Sequence, residues 1–250
     1  MIRARFLLPA IALFPTVALL AQGGPPLITD DTATPGDGVW EVNLAFTTEK
    51  GAGHEWFFET PLVDINYGIG ERFQLKFEVP WVILHEDGGS TKNDLGNSVF
   101  GVKWRFLDQE SHGVGTSVYP QFSFNNPTSA ADRGLVDDGT ELFLPFELEK
   151  RFGPFSVNPE VGFVLREEGR EEWAYGLALG YDVFETVELV GEVHGEAEDD
   201  LDRHALVFNV GTRWEITENC RLLLSAGRGV RGTSNDEPEL LVYSGLQFFF

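Results

Sequence analysis

His194 is flanked at period-two spacing by Glu192 and Glu196. In an extended strand, residues two apart share a face. The three would then present an imidazole between two carboxylates, as a base with an orienting acid or as half of a metal site. Either chemistry needs a further group in reach, a nucleophile or a second His or Cys. His54, His85, His112 and His204 fall in or beside loops and turns, and Cys220 is the single cysteine. No G-x-S-x-G or H-E-x-x-H element occurs. No catalytic, cofactor-binding or metal-binding set is therefore assigned. His194 reads as a pairing partner for its acidic neighbours.

The elements that would hold such a face are strands. From Val39 onward the apolar signal has period two. In Arg72–Leu84, Phe73, Leu75, Phe77, Val79, Trp81 and Ile83 share one face, and Gln74, Lys76, Glu78 and Pro80 share the other. Twelve such segments follow, at about 39–49, 56–68, 72–84, 97–107, 114–124, 140–150, 154–166, 172–183, 186–197, 204–216, 219–230 and 239–250. A tilted strand crosses a membrane in about 9–11 residues. An even count puts both termini on one side. The alternation slips around Glu59–Pro61, where a bulge would restore the phase.

An internal frame repeats at three joints: aromatic, aliphatic two later, Glu two later, Leu four later. It occurs as Tyr67–Ile69–Glu71–Leu75, Tyr181–Val183–Glu185–Leu189 and Trp214–Ile216–Glu218–Leu222. Joints after even-numbered strands are short; those after odd-numbered strands include His85–Gly96, Asn125–Gly139 and Arg231–Pro238. Short turns on one rim and longer polar loops on the other predict an antiparallel transmembrane barrel with periplasmic turns and extracellular loops. Trp40, Tyr67, Trp104, Tyr181 and Trp214 then fall near the periplasmic rim, and Trp56, Trp81 and Trp173 toward the opposite one. Indoles at bilayer interfaces bury a ring while keeping the N–H near polar partners.

The same register gives an inward face of Glu41, Asn43, Asp64, Lys76, Glu78, Lys103, Arg105, Glu141, Glu147, Glu160, Glu192, His194, Arg213 and Arg221. Asn66, Gln121, Glu149, Asn158, Arg166, Glu196 and Asn209 belong to it too. Charges at membrane depth must face water or one another. Two readings stay open: an aqueous path preferring cations, since acids outnumber bases, or a cross-linked network that fills a narrow lumen.

The ends fit export. Arg3 and Arg5, the apolar Phe6–Leu20 and the small exit Ala21–Gln22–Gly23 read as a signal peptide over 1–23. Residues 24–38, rich in Pro, Gly and Thr, form a periplasmic tail, either a disordered leader or a plug folded into the lumen. Residues 39–250 form the barrel. The formal charge of −22 falls to −24 without Arg3 and Arg5, which argues against a nucleic-acid partner. A lone cysteine leaves no internal disulfide.

The chain closes on Tyr243–Ser–Gly245–Leu–Gln–Phe248–Phe–Phe250. This resembles the terminal-strand signal of bacterial outer-membrane barrels, and the resemblance implies the barrel assembly machinery and outer-membrane lipid as partners. Three phenylalanines on an open edge would aggregate in water; closure against the first strand removes that edge.

The stretch from Pro25 to Phe250 resembles outer-membrane barrels described as transporters of the meta-pathway of phenol degradation. The residues concerned are Leu27–Ile–Thr29–Asp30–Asp31 through Pro35–Gly36, Trp40–Glu41–Val–Asn43, Leu95–Gly96–Asn97, Gly101–Val–Lys103–Trp104–Arg105, Tyr119–Pro120–Gln121 and Asn126–Pro127–Thr128. The resemblance implies a passive channel for a small solute in the outer membrane of a Gram-negative-type bacterium, with no cofactor. The alternatives are a non-conducting barrel that serves structure or surface binding and, behind it, a barrel enzyme acting on lipid.

Overall fold

The computed structural model describes residues 24–250 except 52–54, 87, 90, 168–169, 199–203 and 233–237. Residues 1–23, where the signal peptide is expected, lie outside the described residues, as does His54. No described helix is long and apolar enough to cross a membrane.

The period-two segments fold as strands: β1 (Trp40–Lys50), β2 (Trp56–Ile69), β3 (Phe73–His85), β4 (Thr91–Leu95), β5 (Ser98–Leu107), β6 (Gly115–Val118), β7 (Gln121–Phe124), β8 (Thr140–Phe152), β9 (Phe155–Arg166), β10 (Glu172–Phe184), β11 (Val187–Glu198), β12 (His204–Thr217), β13 (Cys220–Gly232) and β14 (Leu240–Phe249). Two breaks separate this number from the expected twelve. β4 and β5 both pair with β3 and continue one another across Gly96. β6 and β7 both lie between β5 and β8, interrupted at Tyr119–Pro120, where proline removes a ladder donor. Twelve positions therefore go round, all antiparallel.

The ring closes between β1 and β14, in register from Glu41↔Phe249 to Lys50↔Leu240. The last residue takes part: Phe250 N donates to Trp40 O at 3.0 Å, and Trp40 N to Phe250 O at 3.1 Å. No sheet edge is left along the terminal strand.

Polarity is inside out. Glu41, Asn43, Asp64, Lys103, Glu147, Glu160, Glu192 and Arg213 are buried, while Leu44, Phe77, Phe100, Leu144, Leu177, Leu179, Val193, Phe208 and Val210 are exposed. That is the distribution expected when the solvent outside is hydrocarbon and the polar groups meet only each other and lumenal water.

The rims carry the aromatics. Trp40 packs on Tyr67 (4.6 Å between centroids), Phe73 stacks on Trp104 (6.1 Å) and Phe155 meets Tyr181 (4.8 Å) beside the turns 70–72, 153–154 and 185–186. Near the other rim Phe163 meets Trp173 edge-on at 4.8 Å. Trp81, Trp104, Trp173 and Trp214 are exposed, whereas Trp56 is half-buried and stacked on Phe58.

The repeated frame has a structural cause. Its aromatic and its leucine are cross-strand partners in all three hairpins: Tyr67↔Leu75, Tyr181↔Leu189 and Trp214↔Leu222. Each pair closes a hairpin with an aromatic–aliphatic contact. The joint 108–114 departs from the frame and holds a one-turn helix, α1 (Gln109–His112), capped by Asp108 and by the left-handed Gly113. The phase slip at Glu59–Pro61 is a register shift between Glu59 and Leu62 on the β3 side, matched by one between Ala45 and Thr47 on β1.

Candidate functional site

The residues of the polar inward face are buried or half-buried, apart from Glu196 at the loop rim. Beside β1–β3, Asn43 Nδ2 donates to Asp64 Oδ2 (3.1 Å) and to Glu41 Oε1 (3.2 Å), and Asn66 donates to Asp64 Oδ1 (3.1 Å). Gln74 bridges Asn66 (2.7 Å) and the Tyr119 hydroxyl (3.0 Å). Lys76 pairs with Glu78 at 2.8 Å. On β11 and β12 Arg213 pairs with Glu188 at 2.9 Å, and at the loop rim Arg166 joins Glu141 (2.8 Å) to Glu172 (2.6 Å). Arg105 lies at the short-turn rim, within 4.0 Å of Asp108. Arg221 sits over the Phe249 ring at 5.0 Å.

Into this wall folds the segment that composition would leave as a disordered leader. Residues 24–38 cross the lumen instead. Gly24 O and Pro25 O accept from Arg213 (3.0 and 3.1 Å), and Pro26 O from Ser225 (2.7 Å). The Ile28 and Thr29 amides both donate to the Glu192 carboxylate at 2.8 Å. Lys103 reaches Asp30 Oδ1 (3.0 Å) and Asp31 O (2.5 Å), and Thr32 donates to Glu149 at 2.7 Å. Thr34 then meets Glu71 O (3.1 Å), and the Gly38 amide meets Gly68 O (3.0 Å) before β1 begins. The segment thus touches walls from β12 and β13 round to β2.

The wall is shaped to receive it. A Cβ on Gly176 would lie 2.1 Å from Thr29 Oγ1, one on Gly115 2.5 Å from Thr32 Oγ1, and one on Gly68 1.8 Å from Gly36 O. Leu27 drops into a small apolar seat made by Ala178 and Val190, two inward positions that break the polar pattern. Hydrogen bonds to charged groups are worth about 1.5–3 kcal/mol each, so the docked segment is a specific fit rather than a resting tail. Asp31 belongs to this segment, outside the spanning strands. Burial pushes its carboxyl up to about 7, with Lys103 opposing.

A loop narrows the opposite end. In residues 125–139, Ala130 and Leu135 pack on Val82 of the inner wall, with Phe57 and Leu84 beside them. Arg133 and Ser129 hold Asp94, at 3.3 and 3.0 Å. Beside this loop opens a vestibule of 1050 Å³, lined by Glu141, Arg166, Arg170, Glu172 and Glu196 among others. At the short-turn end lies a second, of 580 Å³, with Arg151, Arg213 and Arg221 among its lining. Where Asp30, Asp31 and Lys103 meet the wall, the remaining void is 30 Å³, room for about one water.

His194 is buried, and its Nδ1 has no partner among the described residues. Nor do three His, Cys, Asp or Glu among the described residues converge to hold a metal. Most of the acidic stretch 196–202 lies outside the described residues. On β14 the terminal residues divide: Phe248 and Phe250 lie on the outward face, while Tyr243 and Gly245 face the lumen with the buried Phe249.

Sequence reasoning missed the segment's seat, the apolar pocket for Leu27 and the inward loop 125–139. A signal existed in Gly176, Ala178, Gly180 and Val190, small or apolar residues where the inward face is elsewhere polar.

No family model matches the chain, and no curated protein matches it. Solved structures do. An outer membrane channel from Pseudomonas putida F1 superposes with a TM-score of 0.67 at 12% identity, over 88% of this chain and 98% of that one. The NanC porin gives 0.58 at 9% identity (84% and 98%), and the KdgM porin 0.57 at 12% (84% and 99%). The translocator domain of the autotransporter NalP from Neisseria meningitidis gives 0.53 at 13% (86% and 89%). At these identities the likeness establishes the fold: a closed, twelve-stranded antiparallel β-barrel of the outer-membrane type.

Proposed function

We propose that the protein is an outer-membrane channel for small solutes, closed at mid-lumen by its own residues 24–34 and opened when that segment moves. The turn rim faces the periplasm and the loop rim the exterior, and residues 1–23 direct export and are removed from the mature chain. One observation carries the reading: two charged vestibules are separated by a chain segment seated in glycine notches. A wall built only for rigidity could fill the lumen with side chains. Here it accommodates a separate piece of backbone held by hydrogen bonds and a small apolar contact.

The excess of carboxylates at the outer vestibule supports a preference for cations. The resemblance to the phenol meta-pathway transporters supports transport and names no solute on physical grounds. The terminal strand, with Phe248 and Phe250 outward, is what the assembly machinery would pair with.

The test is to refold residues 22–250 in detergent, insert them into a planar bilayer and record current in asymmetric potassium chloride. Discrete steps with a cation-biased reversal potential support the channel. Verified insertion without current under any condition favours the second reading, a non-conducting barrel cross-linked by pairs such as Arg213–Glu188.

A further inference from the structure

Against the N-terminal segment lies a chamber of 330 Å³, walled mainly by β1, β2 and β14. Its floor is Ile28. This side chain is 48% exposed although it stands inside the barrel, its own amide tied to Glu192. Its walls include Phe57 and Tyr243, and Glu49 and Glu59 stand among them. Glu59 accepts from Thr47 Oγ1 at 2.7 Å, and neither carboxylate has an ion pair among the described residues. The nearby Lys76 is already held by Glu78. Asn209 lines the chamber too; its Nδ2 donates to Glu192 (3.2 Å) and Ser225 (3.4 Å), while its Oδ1 has no partner among the described residues.

We propose that this chamber binds a small organic cation, an apolar body carrying one ammonium group; the proposal rests on reading the lumen as a solute path. Glu49 and Glu59 offer acceptors without a cationic partner among the described residues, and an ammonium is a donor with no acceptor of its own. Aromatic faces such as Phe57 and Tyr243 attract cations as well as apolar surface. A carboxylate ligand would bring a third carboxyl group beside these two, and a neutral one would leave them without a cationic partner. Phe57 lines both the chamber and the outer vestibule and stands at the boundary between them. That vestibule presents Asp137, Asp138, Glu141, Glu172 and Glu196 against Arg166 and Arg170, a field that draws cations inward. The chamber volume suits a single-ring molecule.

The experiment is calorimetric titration of the refolded protein in detergent, at neutral pH, with cyclohexylammonium, cyclohexanol and cyclohexanecarboxylate. These share a skeleton and differ in charge. The ammonium is expected to bind about tenfold more tightly than the alcohol, as a charge-assisted hydrogen bond predicts, and the carboxylate more weakly than either. The Glu49→Gln/Glu59→Gln variant should lose that preference while retaining its heat-modifiable gel mobility. Phe57→Ala should weaken the ammonium and the alcohol alike. Equal or tighter binding of the alcohol or the carboxylate overturns the proposal, as does an ammonium preference that survives the double substitution. Binding in detergent needs no current. A barrel that binds the ammonium yet never conducts refutes the channel and leaves the site; one that conducts without this preference refutes the site alone.

Discussion

Lys103 of β5 donates to Asp30 Oδ1 at 3.0 Å and to the Asp31 carbonyl at 2.5 Å, tying the N-terminal segment to the barrel wall. Glu147 lies within 3.8 Å and the Tyr119 ring within 4.6 Å of the same ammonium. Removing one partner of a buried charge set costs about 3–5 kcal/mol. Part of that is recovered if the segment lifts and Asp30 regains water. Lys103→Met is therefore expected to raise the open probability at least about tenfold, read as single-channel current, while the barrel still shows its heat-dependent gel shift.

The glycine notches make a separate prediction. Gly176→Ala places a methyl group 2.1 Å from Thr29 Oγ1, so Thr29 must shift and its seat is loosened. Gly191 faces outward, and a Cβ there meets nothing closer than 3.5 Å. Gly176→Ala should increase conductance and protease cleavage within residues 24–34, and Gly191→Ala should change neither.

Asp31 adds a pH dependence. Its carboxyl is pushed up to about 7 in the docked segment, from 3.8 when free. The docked state therefore binds more protons across that window. Docking is strongest below pH 3.8, weakens as pH rises, and levels off above about 7. Open probability should rise between those limits, and Asp31→Asn should flatten the profile at the closed end. A profile unchanged by Asp31→Asn would assign the titration elsewhere.

The outward face predicts a depth dependence. Val210 is exposed midway along β12, and Trp214 lies nearer the turn rim. An arginine at the bilayer midplane costs about 2–4 kcal/mol, falling to about 0–1 near the interface. In denaturant unfolding from lipid vesicles, Val210→Arg should lower stability clearly more than Trp214→Arg. Equal losses would mean the belt does not sit in the bilayer as placed.

The barrel was legible because strand alternation is a local property. Phe73 to Ile83 declares one face without reference to any other strand, and the frame from Tyr67 to Leu75 encodes a contact made across a single hairpin. The bulge at Glu59–Pro61 was visible as a phase error for the same reason. The closing segment was not legible. Gly24–Gly38 is too rich in Pro, Gly and Thr to show any periodicity, and its place in the lumen is set by distant partners such as Glu192 and Arg213. Its seat is scattered too. Gly68, Gly115 and Gly176 come from three different strand positions, each an ordinary glycine until Gly36, Thr32 and Thr29 lie against it. The inward path of the loop 125–139 escaped notice because Ala130 and Leu135 are too few to mark an apolar face.

The most direct test of the account compares single-channel current from the chain starting at Gln22 with that from a chain starting at Pro35, under identical bilayer conditions. Removing residues 24–34 should leave a folded barrel with a larger and more persistent conductance than the longer chain. Identical currents from both, or none from a verified barrel lacking the segment, would contradict a channel closed by its own N-terminal segment.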